Sequence, residues 1–126
     1  MIQRLTSDKT PAAVGSYSAA SKVGNLIFTS GQLPINAETG KIDQPDSIEW
    51  QVNQSLTNIK HILEDNGSSM QAVVKTTVYL ADIADFAAFN AVYQGFFTEG
   101  FPARTAFEVG KLPMGALVEI EAIAEV

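Results

Sequence analysis

"DSIEWQVNQSLTNIKHILEDNG", residues 46–67, decides the fold class. Ile48, Val52, Leu56, Ile59 and Leu63 recur at three- and four-residue steps, the spacing of one face of an α-helix. Asp46 and Glu49 stand at capping-box spacing, with a side-chain acceptor at the N-cap and a carboxylate three residues on. Asn66 and Gly67 predict the stop, because both tolerate left-handed backbone. His61 falls off the apolar stripe and reads as a solvated surface histidine.

Outward from this helix the period drops to two. Residues 17–33, "YSAASKVGNLIFTSGQL", read as a hairpin turning at Gly24-Asn25. "PINAETGK" is then a polar loop. On the other side, "AVVKTTVYLAD" places Val74, Thr76, Val78 and Leu80 on one face of a strand, with Lys75, Thr77 and Tyr79 on the other. A second helix is predicted from Asp82 or Asp85. Its stripe of Phe86, Phe89, Tyr93 and Phe96 or Phe97 is core packing, and Gly100 and Pro102 close it. Residues 103–109 and 117–125 are strands, and the short "KLPMG" turn predicts that they pair as a hairpin. In the last strand Val118, Ile120, Ala122 and Ala124 face one side, and Leu117, Glu119, Glu121 and Ile123 the other.

The order is hairpin, helix, strand, helix, strand, strand. It implies an α+β fold, a single sheet with both helices packed on one face. The opposite face must be covered or polar. Thr29, Thr76 and Thr77, with Glu119 and Glu121, make it semi-polar and suited to an oligomer interface.

The 126 residues suit one domain, residues 1–126. The net charge is −6 with no basic block, so nucleic acid is not the expected partner. The chain has no cysteine, which excludes thiolate metal sites and thiol nucleophiles. A single histidine excludes a zinc centre with several histidine ligands from one chain. There is no signal-peptide pattern and no apolar run of membrane length, so a soluble cytoplasmic protein is expected. Chemistry here must come from carboxylates, arginine, hydroxyls, amides and backbone.

One of only two arginines stands inside the strand-like "FPARTAFEV", residues 101–109. Alternation puts Arg104, Ala106 and Glu108 on one face. Two readings fit. Arg104 is half of a structural ion pair with Glu108 or Glu119, or it receives a small carboxylate, which its planar fork matches with two parallel hydrogen bonds. Asn90, between Phe86, Phe89 and Tyr93, is either a pocket amide or a surface one. Ser30-Gly31 places a hydroxyl and open backbone at a strand end.

Taken together, "PAAVGSY" (11–17), "GNLIFTSGQLP" (24–34), "VVKTTVYLAD" with "FAAFNAVYQGFF" (73–97), "FPAR" (101–104) and "VEIEAIA" (118–124) resemble the RidA/YjgF family of reactive-intermediate deaminases. The likeness spans nearly the whole chain. It implies a chorismate-mutase-like fold and a homotrimer with ligand clefts between subunits. It also implies hydrolysis of 2-imino acids, and of the 2-aminoacrylate enamine, to 2-keto acids and ammonium without a cofactor. Carried over by position, Arg104 binds the substrate carboxylate and Glu119 activates water. Tyr17, Ser30 and Gly31 line the cleft, Asn90 supports it, and Phe89 and Tyr93 shape an apolar wall. Many family members carry cysteine where this chain has Ala106, whose backbone groups still reach substrate. The alternative is a non-catalytic trimeric module that binds a keto acid through the same residues.

Overall fold

Ser47, one residue inside the expected capping box, begins the long helix: its hydroxyl accepts the Trp50 N–H at 3.1 Å. The structure, a computed structural model, describes residues 1–126. Six strands are present: β1 (Gln3–Leu5), β2 (Ala20–Val23), β3 (Leu26–Thr29), β4 (Val73–Leu80), β5 (Ala103–Glu108) and β6 (Val118–Glu125). The two α-helices are α1 (Ile48–Asp65) and α2 (Phe86–Tyr93). The predicted stop holds, with Gly67 at φ +86°. Ile48, Val52, Leu56, Ile59 and Leu63 are all buried, each contributing about 1.5–3 kcal/mol of apolar burial.

The strands form one mixed sheet in the order β1-β2-β3-β6-β4-β5. The expected α+β arrangement is thus present, with both helices on one face. Their apolar residues share a core with Val78, Leu80, Val118, Ile120, Ala122 and Ala124 of the sheet. The β2–β3 hairpin turns at Gly24-Asn25 as expected. The three-residue β1 was not foreseen, being too short to show a period.

The expected hairpin of the last two strands does not form. β6 enters the centre of the sheet, antiparallel to both β3 and β4. β5 lies at the edge, parallel to β4, with α2 as the crossover between them. The reason lies in the side chains. On its helix face β6 carries only apolar residues, so it can be covered, whereas β5 carries Arg104 and Glu108 there. At an edge those charged groups still reach water.

Two smaller corrections concern facing. The β4–β6 register shifts between Val73 and Lys75, and this turns Val74 out to solvent. Thr29 and Thr76 belong to the covered side: the Thr29 hydroxyl accepts the Ala122 N–H, and the Thr76 hydroxyl pairs with Tyr93 at 2.7 Å. The open face is left with Phe28, Lys75, Thr77, Tyr79, Phe107, Glu119 and Glu121. His61 is half-buried rather than solvated, with its Nδ1 out of contact with water.

Candidate functional site

Arg104 pairs across the ladder with Thr76, so it projects to the helix side of the sheet edge, towards α2. Its guanidinium sits over the rings of Tyr93, Phe86 and Phe89, at 4.8, 5.2 and 5.6 Å from their centroids. One Nη1–H donates to Asn90 Oδ1 at 2.7 Å. Three aromatic faces and one amide thus orient the fork, with the cation attracted to the negative faces of the rings. No carboxylate pairs with it; the ion pairs of the chain are Lys9–Asp65 and Lys60–Glu64. The structural ion pair weighed for Arg104 is therefore absent. Glu108 instead accepts the Ile83 N–H at 3.0 Å.

The free side of the guanidinium opens on a cavity of about 370 Å³ lined by Asn90, Tyr93, Gln94, Phe101, Pro102 and Arg104. Sequence reasoning did not single out Gln94, Phe101 or Pro102. A signal existed for Gln94, which follows Asn90 by one helical turn and so shares its face. Phe89 is fully buried and supports Arg104 from beneath, while Tyr93 is buried but for its share of the cavity wall. Burial pushes the Tyr93 hydroxyl up in pKa, against the hydrogen bond to Thr76 and the charge of Arg104. Ala106, on the same face of β5 and half-buried, packs against the core.

A second group of predicted residues gathers elsewhere. Glu119 pairs with Tyr79, three residues beyond Thr76, and so lies on the face away from the helices. Its carboxylate packs on Gly31: a Cβ built there would meet Glu119 Oε2 at 2.6 Å. Only glycine admits the carboxylate this close. Gln32 and Ile120 bridge the same two segments by paired backbone hydrogen bonds of 2.7 and 3.2 Å. Ser30 donates its hydroxyl to Ser18 O at 2.6 Å and its N–H to Ala19 O at 2.9 Å. This ties the Tyr17 segment to the end of β3, and Tyr17 stands exposed beside it. Burial, then the neighbouring Glu121 charge, raises the Glu119 pKa above the usual carboxylate value. Tyr79 donates to Glu121 Oε1 at 2.8 Å, and that hydrogen bond pushes the Tyr79 pKa up to about 12.

The two groups stand on opposite faces of one sheet. A single chain brings Arg104, Asn90 and Tyr93 together, and separately Tyr17, Ser30, Gly31 and Glu119. It does not bring Arg104 to Glu119, as the expected hairpin could have done.

Fold and site together define an α+β protein built on one mixed sheet, with an arginine oriented on aromatic rings at the sheet edge. Residues 7–126 match the family model described as Endoribonuclease L-PSP, and the chain belongs to this family, the YjgF/RidA family. A RutC family protein of Pyrococcus abyssi is 52% identical over 117 residues, covering 93% of this chain and 91% of the relative. The 2-iminobutanoate/2-iminopropanoate deaminase of Escherichia coli strain K12 is 45% identical over 127 residues, covering 98% of each chain. The solved structure of E. coli TdcF with bound serine superposes at a TM-score of 0.93, with 36% identity and 98% of each chain covered. No helix is long and apolar enough to cross a membrane.

Proposed function

We propose that this protein is a 2-imino acid deaminase working as a homotrimer, with each site built from two copies. The observation that carries the reading is the Arg104 guanidinium, oriented by Asn90 and three aromatic rings, with no carboxylate of its own chain to bind. A carboxylate-bearing ligand satisfies it. The deaminase name of the E. coli relative and the serine bound in TdcF support a small ligand with a carboxylate.

In this reading Arg104 and Asn90 of one copy hold the carboxylate end. Tyr17, Ser30, Gly31 and Glu119 of a neighbouring copy close the cleft from the other side, and Ala106 offers backbone groups beside the anchor. 2-Aminoacrylate enters as its imine tautomer. Glu119 takes a proton from water as the water oxygen bonds to the imine carbon, which is most electrophilic when its nitrogen is protonated. The carbinolamine then collapses: Glu119 returns its proton to nitrogen, the C–N bond breaks with its electron pair leaving on nitrogen, and the hydroxyl proton passes to the departing ammonia as the C=O bond forms. Products are a 2-keto acid and ammonium. Anchoring at Arg104 makes the encounter a positioned one. No residue of this route is a thiol, so alanine at position 106 is compatible with it. We expect a cytoplasmic enzyme that needs no cofactor. Its net charge of −6 and the absence of a basic run in the sequence argue against RNA as the main partner.

The test is the decay of enzymatically generated 2-aminoacrylate, or of imines made by an amino-acid oxidase, with and without the protein. Accelerated keto-acid release is expected. A rate equal to that of buffer rejects the catalytic reading, and keto-acid binding without turnover then favours a regulatory binding module.

A further inference from the structure

Tyr17 and Gly31 also border a cavity of about 290 Å³ that the route above leaves unused. Its other walls are mainly apolar, with Val14, Leu33, Ile35 and Met114 among them. That is the lower end of the size range of small-molecule sites, which are mostly apolar with a few polar groups. A polar cavity of about 550 Å³ borders Tyr17 too, walled by Ser16, Ser18, Ser21 and Ser30. The two would select opposite side chains. Only the apolar one includes Gly31, the residue against which the Glu119 carboxylate packs.

Met114 adds a second observation. It is the one non-glycine residue with left-handed backbone, at φ 60° and ψ 20°, and it is 57% exposed at the rim of this cavity. Such a conformation is costly for a residue with a side chain, and it tends to persist where function uses it. Methionine is flexible and polarizable, suited to apolar guests of varied shape. Val14, 83% exposed, lines the same cavity.

We propose that this cavity is a side-chain subsite for the apolar side chain of a 2-imino acid or its 2-oxo product, with Met114 and Val14 setting specificity. The inference rests on the reading above for the carboxylate end of the ligand. It excludes the serine-walled cavity as the side-chain site, so hydroxylated side chains are disfavoured.

Calorimetric titration of the intact protein with 4-methyl-2-oxopentanoate, pyruvate and 3-hydroxypyruvate tests it without requiring turnover. The branched acid is expected to bind roughly ten-fold tighter than either of the others, the scale that added methylenes earn in an apolar pocket. Met114→Gln and Val14→Ser, which add polarity without charge, should each cut the preference for the branched acid over pyruvate several-fold. Equal affinity for the three acids, no binding of any, or a preference indifferent to both substitutions would overturn the subsite. Imine turnover separates the two readings. Preference for the branched acid without turnover keeps the subsite and loses the catalysis; turnover without any side-chain preference does the reverse.

Discussion

Arg104 and Glu119 sit on opposite faces of the sheet, and burial penalises the ionised form of Glu119. An arginine on the covered side of a strand is tolerated because three rings and Asn90 hold it while its far side opens on a cavity. Arg104→Ala is expected to abolish accelerated imine decay. Arg104→Lys should recover little, since an ammonium cannot make the two parallel bonds of the fork. Glu119→Gln should keep 2-oxo acid affinity and lose at least about a hundred-fold in rate, the scale of general base catalysis; an unchanged rate would reject the role. A base acts only when ionised, and Glu119 holds its proton more tightly than an ordinary glutamate. The acid limb of the kcat/KM profile is therefore expected above the ordinary glutamate range. Removing the neighbouring charge, by Glu121→Gln, should move that limb to lower pH. The same shift has a consequence for stability. A carboxylate raised on folding favours the folded state below its unfolded pKa, and that contribution is lost as pH rises through the folded value. Glu119→Gln should thus unfold at a higher temperature than wild type at neutral pH.

At the scale of elements, α1 does more than cover the sheet. Its buried Gln51 donates to Gln44 O and Pro45 O, at 3.1 and 3.0 Å, and accepts the Leu117 N–H at 2.8 Å. Buried Asn58 donates to Leu33 O and Ile35 O, at 3.3 and 3.0 Å. One amide therefore fixes the chain entering β6, two residues before Glu119, and the other fixes the segment just after Gly31. Gln51→Met keeps the volume but leaves Pro45 O and the Leu117 N–H without a partner, while Gln44 O keeps the Ser47 N–H at 3.2 Å. We expect a loss of about 2–4 kcal/mol in urea unfolding, since a buried group left unpaired costs about 1–3 kcal/mol. The periodicity of α1 could be read directly, because its apolar stripe reports one buried face. Gln51 and Asn58 could not, because their burial depends on which loops cross the helix.

On the scale of the molecule, the sheet separates two groups of side chains that the proposed reaction needs together. If each site joins Arg104 of one copy to Glu119 of another, two inactive variants can repair each other. Arg104→Ala and Glu119→Gln subunits, unfolded together in equal amounts and refolded, should regain roughly a quarter of wild-type activity, because about one interface in four pairs two intact halves in a closed ring. Activity no higher than that of the separate variants would exclude a shared site. Size measurement of the wild-type protein should give three chains. The open face, with Phe28, Tyr79, Phe107 and the two glutamates, is the surface such an assembly has available.

The sequence by itself determined the two helices, most of the strands and the α+β class, because period, caps and turns are local properties. It also singled out Arg104 as a charge needing a partner in a chain without cysteine, while the role of Glu119 rested on the resemblance to the RidA/YjgF family. Tertiary structure alone decided strand order. Pairing depends on which strand can be covered by the helices, and β6, apolar on its helix face, meets that condition where β5, with Arg104 and Glu108 there, does not. From that order follows the separation of Arg104 and Glu119 on opposite faces, which no turn length could reveal.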